Sequence, residues 1–201
     1  MGKRLFDVCC AGLALVVLWP LMLVIALVVT VESPGPAIFR QIRVGRNGHE
    51  FEVLKFRTMR VATRSDAPQI TVAGDARITR TGRFIRATKL DELPQLLNVL
   101  RGDMSLVGPR PEVPKYVALY PPEVRDIILS VRPGITDVAS IRFRSESEIL
   151  ARSADPERTY VQEILPQKLR LYESYARHHG VASDIGILAR TLFAVVSRRV
   201  D

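Results

Sequence analysis

From Val8 to Val31 the chain reads VCCAGLALVVLWPLMLVIALVVTV, 24 residues without a formal charge. As a straight helix this run is about 36 Å long, enough to cross a hydrocarbon core of about 30 Å. It is long for the apolar region of a signal peptide, and no small-residue cleavage site follows before Glu32. The choice lies between a helix that spans the bilayer and one that enters and returns. Pro20 sits mid-run, where it removes a helical hydrogen bond and clashes with the preceding turn, predicting a kink or break. Positive charge flanks both ends, with Lys3 and Arg4 before the run and Arg40, Arg43 and Arg46 after it. The positive-inside tendency then holds both ends at the cytoplasmic face. These features favour a re-entrant helix, while a kinked spanning helix stays open because membranes tolerate proline.

The chain divides into a membrane segment, 1–32, and a cytoplasmic, membrane-associated domain, 33–201. Without Met1–Val31 it retains 170 residues, 27 Lys and Arg against 20 Asp and Glu. That length buries a real core, and the basic balance suits anionic lipid, phosphorylated substrates or nucleic acid. Nucleic acid is set aside: aromatics are 6% of the chain and interleave with no basic run. Cys9 and Cys10 are adjacent inside the apolar run, cannot form a CxxC pair, and read as packing residues. No disulfide framework is implied, which fits a reducing compartment.

Ser33-Pro34-Gly35-Pro36 ends the first helix. Ala37–Val44 and Phe51–Phe56 read as strands of a hairpin around Arg46-Asn47-Gly48, and Thr63–Ala73 as a polar loop. Leu93, Leu96, Leu97 and Leu100 recur at helical spacing, predicting a helix over Glu92–Leu100 with Asp91 as its N-cap and Pro94 in its first turn. The helix dipole would then favour an ionised Asp91, and Gly102 would end the helix. Tyr116–Val131 and Tyr160–His178 look helical, with a break at Arg132-Pro133-Gly134. Asp184–Val200 carries Ile185, Leu188, Leu192, Phe193 and Val196 on one face, either against the core or on anionic lipid. The fold class expected is α+β: a re-entrant membrane helix, a mainly helical domain with a small β-hairpin, and interfacial amphipathic helices.

Asp75–Pro111 concentrates the chemistry. An adjacent acid pair, Asp91-Glu92, lies among many arginines and precedes a Gly108-Pro109-Arg110-Pro111 turn. Alone, such a pair reads as a solvated face or helix start. Its company changes that reading: Lys55 follows a predicted strand, Arg86 lies five residues upstream, and Arg110 is held between two prolines. Carboxylates hold divalent metals or act as nucleophiles, and cations at strand and loop ends clamp phosphate oxygens. Phosphoryl chemistry follows. No GxxxxGK[ST], GxGxxG, HExxH, GxSxG or DxD motif occurs. His178-His179 reads as a helix end, and His49 has no evident partner.

These residues resemble the monotopic phosphoglycosyl transferases that use polyprenol phosphate, also called bacterial sugar transferases, in their small, minimal form. The resemblance rests on Lys3-Arg4-Leu5-Phe6-Asp7, Ser33-Pro34-Gly35-Pro36, Lys55-Phe56-Arg57-Thr58-Met59, Leu90-Asp91-Glu92-Leu93-Pro94-Gln95-Leu96, Val107-Gly108-Pro109-Arg110-Pro111 and Arg132-Pro133-Gly134-Ile135-Thr136, in that order. It implies transfer of a phospho-sugar from a UDP-sugar to undecaprenyl phosphate with release of UMP, at the cytoplasmic face of a bacterial inner membrane. It implies that Asp91 is the nucleophile, that Asp91 and Glu92 bind Mg²⁺, and that Lys55, Arg86 and Arg110 stabilise phosphate charge. Lys3, Arg4, Asp7 and Pro20 are the matching structural positions of the membrane element, and a homodimer is left open. The family also favours the re-entrant reading. Two positions depart from its pattern: Asp137 stands where Gly is common, and Trp19 precedes Pro20 in place of Ser. A non-catalytic membrane scaffold and a membrane-bound phosphodiester hydrolase are the rival readings.

Overall fold

A computed structural model of the chain describes residues 2–60 and 71–197. Gly2–Glu32 forms one helix, α1, about 46 Å long at ~1.5 Å per residue. It is long and apolar enough to cross a membrane by length and composition. Pro20 lies inside it and does not end it, so of the kink or break expected there, a break does not form. A proline forfeits one helical hydrogen bond, and the bonded turns on either side carry the helix past it. Leu13, Val16, Val17, Trp19, Leu23, Val24 and Leu27 are exposed along the middle of α1, whereas Asp7, Ala11, Ile25 and Val29 near its ends are buried.

Both ends of α1 are tied to the rest of the chain by polar contacts. Near the start, Asp7 accepts from Ser105 Oγ at 2.8 Å and the Leu106 amide at 3.2 Å. Lys3 donates to the Val107 carbonyl at 3.1 Å and pairs with buried Asp184. Arg4 donates to the Val99 and Leu100 carbonyls at 2.7 and 3.2 Å. At the other end Arg57 donates to the carbonyls of Val29, Ser33 and Pro34 at 3.1, 2.6 and 2.9 Å. A cation on the last carbonyls of a helix satisfies unpaired acceptors and complements the dipole. The KFRTM segment therefore contributes a helix cap as well as Lys55.

The expected hairpin is present as β1 (Ile38–Val44) paired antiparallel with β2 (Glu50–Phe56) across a turn at Arg46–Gly48. Next come α2 (Arg80–Ala87), a 3₁₀ turn at Leu90–Glu92, and α3 (Gln95–Arg101). The Glu32 carboxylate, at the end of α1, accepts from the Arg80 and Thr81 amides at the start of α2. Gly102 ends α3 at φ 97°, as its sequence position predicts.

The remaining elements are β3 (Ser105–Val107), α4 (Pro114–Val117), α5 (Pro122–Leu129), β4 (Gly134–Thr136), α6 (Val138–Arg142), α7 (Glu146–Ala151), α8 (Pro156–Thr159), α9 (Leu165–His178) and α10 (Val181–Ser197). The single helix expected over Tyr116–Val131 is two. The Pro121-Pro122 pair supplies no amide donors to continue α4, and Pro122 starts α5. Tyr160–Ile164 is a wider π turn that runs into α9. His178 and His179 contact the Ser174 and Ala176 carbonyls at the end of α9, in keeping with a helix terminus. Most of the expected 63–73 loop, and the chain after Ser197, lie outside the described residues.

β3 and β4 form a parallel pair that the local pattern does not announce. Three apolar clusters surround this frame. Ala11 of α1 packs with Val53, Val99, Met104 and Val107, Ile25 and Val29 pack with Phe56 and Ile85, and the tyrosines Tyr116, Tyr120, Tyr160 and Tyr172 pack between α4, α5 and α9. On α10, Asp184 and Ile187 face inward while Ile185, Leu192 and Phe193 are exposed, so the helix has both a core face and a free apolar face.

Gly108 and Gly134 meet backbone to backbone where the Arg110 turn leaves β3, and a Cβ at Gly134 would overlap the Gly108 amide and carbonyl. Gly134→Ala should therefore cost about 3 kcal/mol, read as a fall in the thermal unfolding midpoint of the detergent-solubilised protein. A change within experimental error would contradict this close approach.

Candidate active site

Lys89 adopts the left-handed conformation (φ 59°, ψ 13°), where a residue with a Cβ is disfavoured by about 1–2 kcal/mol. The chain then tightens into the 3₁₀ turn that carries Asp91 and Glu92 before Pro94 admits α3. Asp91 is thus not the N-cap of a helix, as the sequence suggested, because the helix begins only at Gln95. The Asp91 Oδ1 is buried without a hydrogen-bond partner.

Glu92 is the opposite case. Its Oε1 accepts from Lys55 Nζ at 3.1 Å and pairs with Arg110 Nη2, while Oε2 accepts from Arg110 Nη1 at 3.4 Å. Lys55 arrives from β2 and Arg110 from the turn after β3, so one carboxylate joins three separate segments. Burial alone would raise the Glu92 pKa, but Arg110 and Lys55 hold it well below the ordinary carboxylate range. Glu92 in turn raises Arg110. Burial lowers Lys55, with Glu92 opposing that shift. Asp91 shifts upward, first through burial and then through the neighbouring Glu92 charge, against the pull of Lys55, Lys89 and Arg86. Lys55 and Arg110 pair with Glu92, and Asp91 is left buried with an oxygen that has no hydrogen-bond partner.

Two cavities lie beside this turn, both lined by Lys89 and Arg110 and one of them by Glu92. One, of about 320 Å³, is polar and basic, with Arg83, Arg86, Lys89, Arg110, Arg144 and Lys168 in its wall. Arg86 Nη1 is buried without a partner. The other, of about 160 Å³, is walled by Leu93, Leu96, Ile135, Ile141, Ala194 and Val195, with Glu92 at its edge. Lys89, Arg110, Ser140 and Arg144 line both.

The bacterial sugar transferase family model matches residues 1–198. The chain belongs to the bacterial sugar transferase family. It is 40% identical to the UDP-glucose:undecaprenyl-phosphate glucose-1-phosphate transferase of Caulobacter vibrioides, over 96% of this chain and 68% of that protein. It is 42% identical to the protein of the same name from Klebsiella pneumoniae, over 95% of this chain but 39% of that protein. It is 43% identical to a UDP-N-acetylgalactosamine-undecaprenyl-phosphate N-acetylgalactosaminephosphotransferase of Aeromonas hydrophila, over 69% of this chain and 33% of that one. The chain thus spans about two thirds of the first relative and well under half of the other two.

Within this family member, Lys55, Glu92 and Arg110 are in direct contact, and Arg86 faces the same polar cavity. No cluster of three or more His, Cys, Asp or Glu side chains suited to a metal occurs among the described residues. Mg²⁺ needs no such cage: it is commonly held by one or two carboxylates with waters and substrate phosphates completing the shell. The orphaned Asp91 Oδ1 fits that requirement. Glu92 would have to release Lys55 or Arg110 to serve as a direct ligand.

Lys89, Ser140 and Arg144 escaped the sequence reading. Lys89 adjoins the acid pair but depends on a left-handed turn, and Ser140 and Arg144 reach the site only through long-range packing. Asp137, where the family commonly has Gly, N-caps α6 by accepting from the Ser140 amide at 2.9 Å, so this departure supports the helix that presents Ser140. Behind Arg110, Arg43 donates to the Pro111 carbonyl at 3.0 Å and pairs with Glu112 at 3.3 Å, and Tyr160 Oη donates to Glu112 at 2.5 Å.

A carboxylate whose pKa is raised on folding favours folding at low pH and opposes it once ionised. At neutral pH in metal-free buffer, Asp91→Asn should therefore raise the unfolding midpoint by about 2–4 °C, corresponding to roughly 1 kcal/mol in a chain of this size. A lowered midpoint would contradict the unpaired state assigned to Asp91.

Proposed function

We propose that this chain transfers a phospho-sugar from a UDP-sugar to undecaprenyl phosphate in two displacements through Asp91, starting glycoconjugate assembly at the inner membrane of a bacterium. The observation that carries the reading is the division of charge in the acid pair: Glu92 holds Lys55 and Arg110, while Asp91 is buried with a free oxygen. The names of the family's curated members supply the donor and acceptor classes.

In the first displacement an Asp91 carboxylate oxygen attacks the β-phosphorus of the UDP-sugar. The bond from that phosphorus to the bridging oxygen breaks, UMP leaves with the electron pair, and the phospho-sugar stays on Asp91. In the second, an acceptor phosphate oxygen attacks the same phosphorus. The Asp91 oxygen–phosphorus bond breaks, the carboxylate is restored, and the product is a polyprenyl diphosphate sugar. Covalent catalysis here replaces one meeting of two anions by two, each beside fixed cations.

Arg86 and Arg110 bind donor phosphate oxygens, and Lys55 keeps Glu92 and Arg110 in register. Asp91 would hold Mg²⁺ with Glu92 orienting the site, and the ion would neutralise charge on the diphosphate. The free Asp91 oxygen in a cationic surround supports this over a scaffold that merely binds nucleotide.

The membrane element is read as re-entrant. Its support is that both ends of α1 dock on the same domain, through Lys3, Arg4 and Asp7 at one end and Glu32 and Arg57 at the other. The two ends of a spanning helix would lie on opposite sides of the bilayer. In a variant with Cys9 and Cys10 replaced, cysteines placed at exposed Gly2 and Pro36 should label from the same side of sealed vesicles. Opposite-side labelling would mean a spanning helix.

A panel of UDP-sugars tests the reaction through UMP release with and without undecaprenyl phosphate. Turnover should require the acceptor, with about one UMP per enzyme released in its absence, and Asp91→Asn should abolish both phases. Continuous release to water without acceptor would mean a hydrolase, and donor binding without release a scaffold. Retained release by Asp91→Asn would remove Asp91 from the nucleophile's role.

A further inference from the structure

We propose that the aliphatic cavity beside Glu92 seats the phosphate-proximal isoprenyl unit of the acceptor lipid, which makes α10 the wall that selects a prenyl over another tail. This rests on the reaction proposed above and assigns a place within it. Most of the wall is hydrocarbon, with Leu96, Ile135, Ile141, Ala194 and Val195 facing the space and the charged side chains of Lys89, Glu92, Arg110 and Arg144 completing it. Its threonine hydroxyls are already engaged, since Thr136 Oγ1 and Thr191 Oγ1 bond each other at 2.9 Å and Thr191 Oγ1 also donates to the Ile187 carbonyl at 2.9 Å. A sugar or a uracil ring buried against that aliphatic stretch would leave polar groups without partners there, a cost of about 1–3 kcal/mol each. A hydrocarbon loses nothing of that kind and gains from leaving water.

Size agrees with the occupant. A dry aliphatic cavity of about 150 Å³ accommodates a six-carbon molecule, and this one, of about 160 Å³, has room for one five-carbon unit. Position agrees as well. Lys89, Arg110 and Arg144 line both this cavity and the polar one, so a phosphate attached to an isoprenyl unit seated here meets Arg110, which also binds the donor diphosphate, beside Lys89 and Arg144. That sharing suits a reaction in which the acceptor phosphate enters after UMP has gone. On its outer side α10 exposes Leu192 and Phe193, giving the lipid's remaining units an apolar path toward the bilayer.

The test separates the two half-reactions. Ala194→Phe fills the cavity, and Ile141→Ala in the same chain returns the space. The single-turnover release of UMP without acceptor reports the donor side, and steady-state KM for undecaprenyl phosphate at fixed detergent reports the acceptor side. Ala194→Phe should raise the acceptor KM at least tenfold while the UMP burst persists, and the double variant should recover most of that loss. A smaller filling variant, Ala194→Val, should give an intermediate KM and guards against misfolding of the larger one. An unchanged acceptor KM in both filling variants would overturn the proposal. So would loss of the UMP burst in both, which would place the donor in this cavity. An unmodified enzyme that releases no UMP with any donor would overturn the proposed reaction itself, and this site with it.

Discussion

One carboxylate organises the site. Glu92 draws Lys55 from β2 and Arg110 from the turn after β3 onto a single side chain, and with them three segments far apart in sequence. Because a buried carboxylate demands a charged partner, this contact aligns the hairpin, the 3₁₀ turn and the Pro-locked turn at once. Its consequence falls on the neighbour. Asp91 is buried in the same cationic surround, and its Oδ1 bonds to nothing. Two adjacent acids thus take different work: one holds cations in place, and the other is kept free.

The apolar helix is bound into this arrangement by polar chemistry at its ends. Arg57 covers its last carbonyls, Glu32 caps α2, and α2 carries Arg86 to the polar cavity. At its start, Asp7 accepts from β3, and Lys3 reaches the Val107 carbonyl just before the Arg110 turn. The apolar helix therefore supports both sides of the Asp91-Glu92 pair.

Features governed by local chemistry were legible in the sequence. The hairpin around Asn47-Gly48, the helix stop at Gly102 and the terminus at His178-His179 follow from backbone preferences of a few residues. The grouping of Lys55, Glu92 and Arg110 was also legible, because strand ends and a Pro-locked turn present cations with little freedom. What local pattern could not carry was tertiary. After the left-handed Lys89 the helix starts at Gln95 rather than Glu92, and the Pro121-Pro122 pair outweighed the apolar periodicity of the segment around it. The β3–β4 pair holds three residues a side and depends on the approach of Gly108 to Gly134. The aliphatic cavity is closed by Ala194 and Val195, nearly a hundred residues beyond Leu96, and no spacing rule links such positions.

The central claim is that Asp91, and not its cation-bound neighbour, carries the phospho-sugar between donor and acceptor. Peptide mass spectrometry after a denaturing quench tests this most directly, with the enzyme incubated with UDP-sugar and no acceptor. A phospho-sugar mass should appear on Asp91 at close to one per enzyme and be lost when undecaprenyl phosphate is added before the quench. UMP release with no adduct, or an adduct on Glu92, would contradict it.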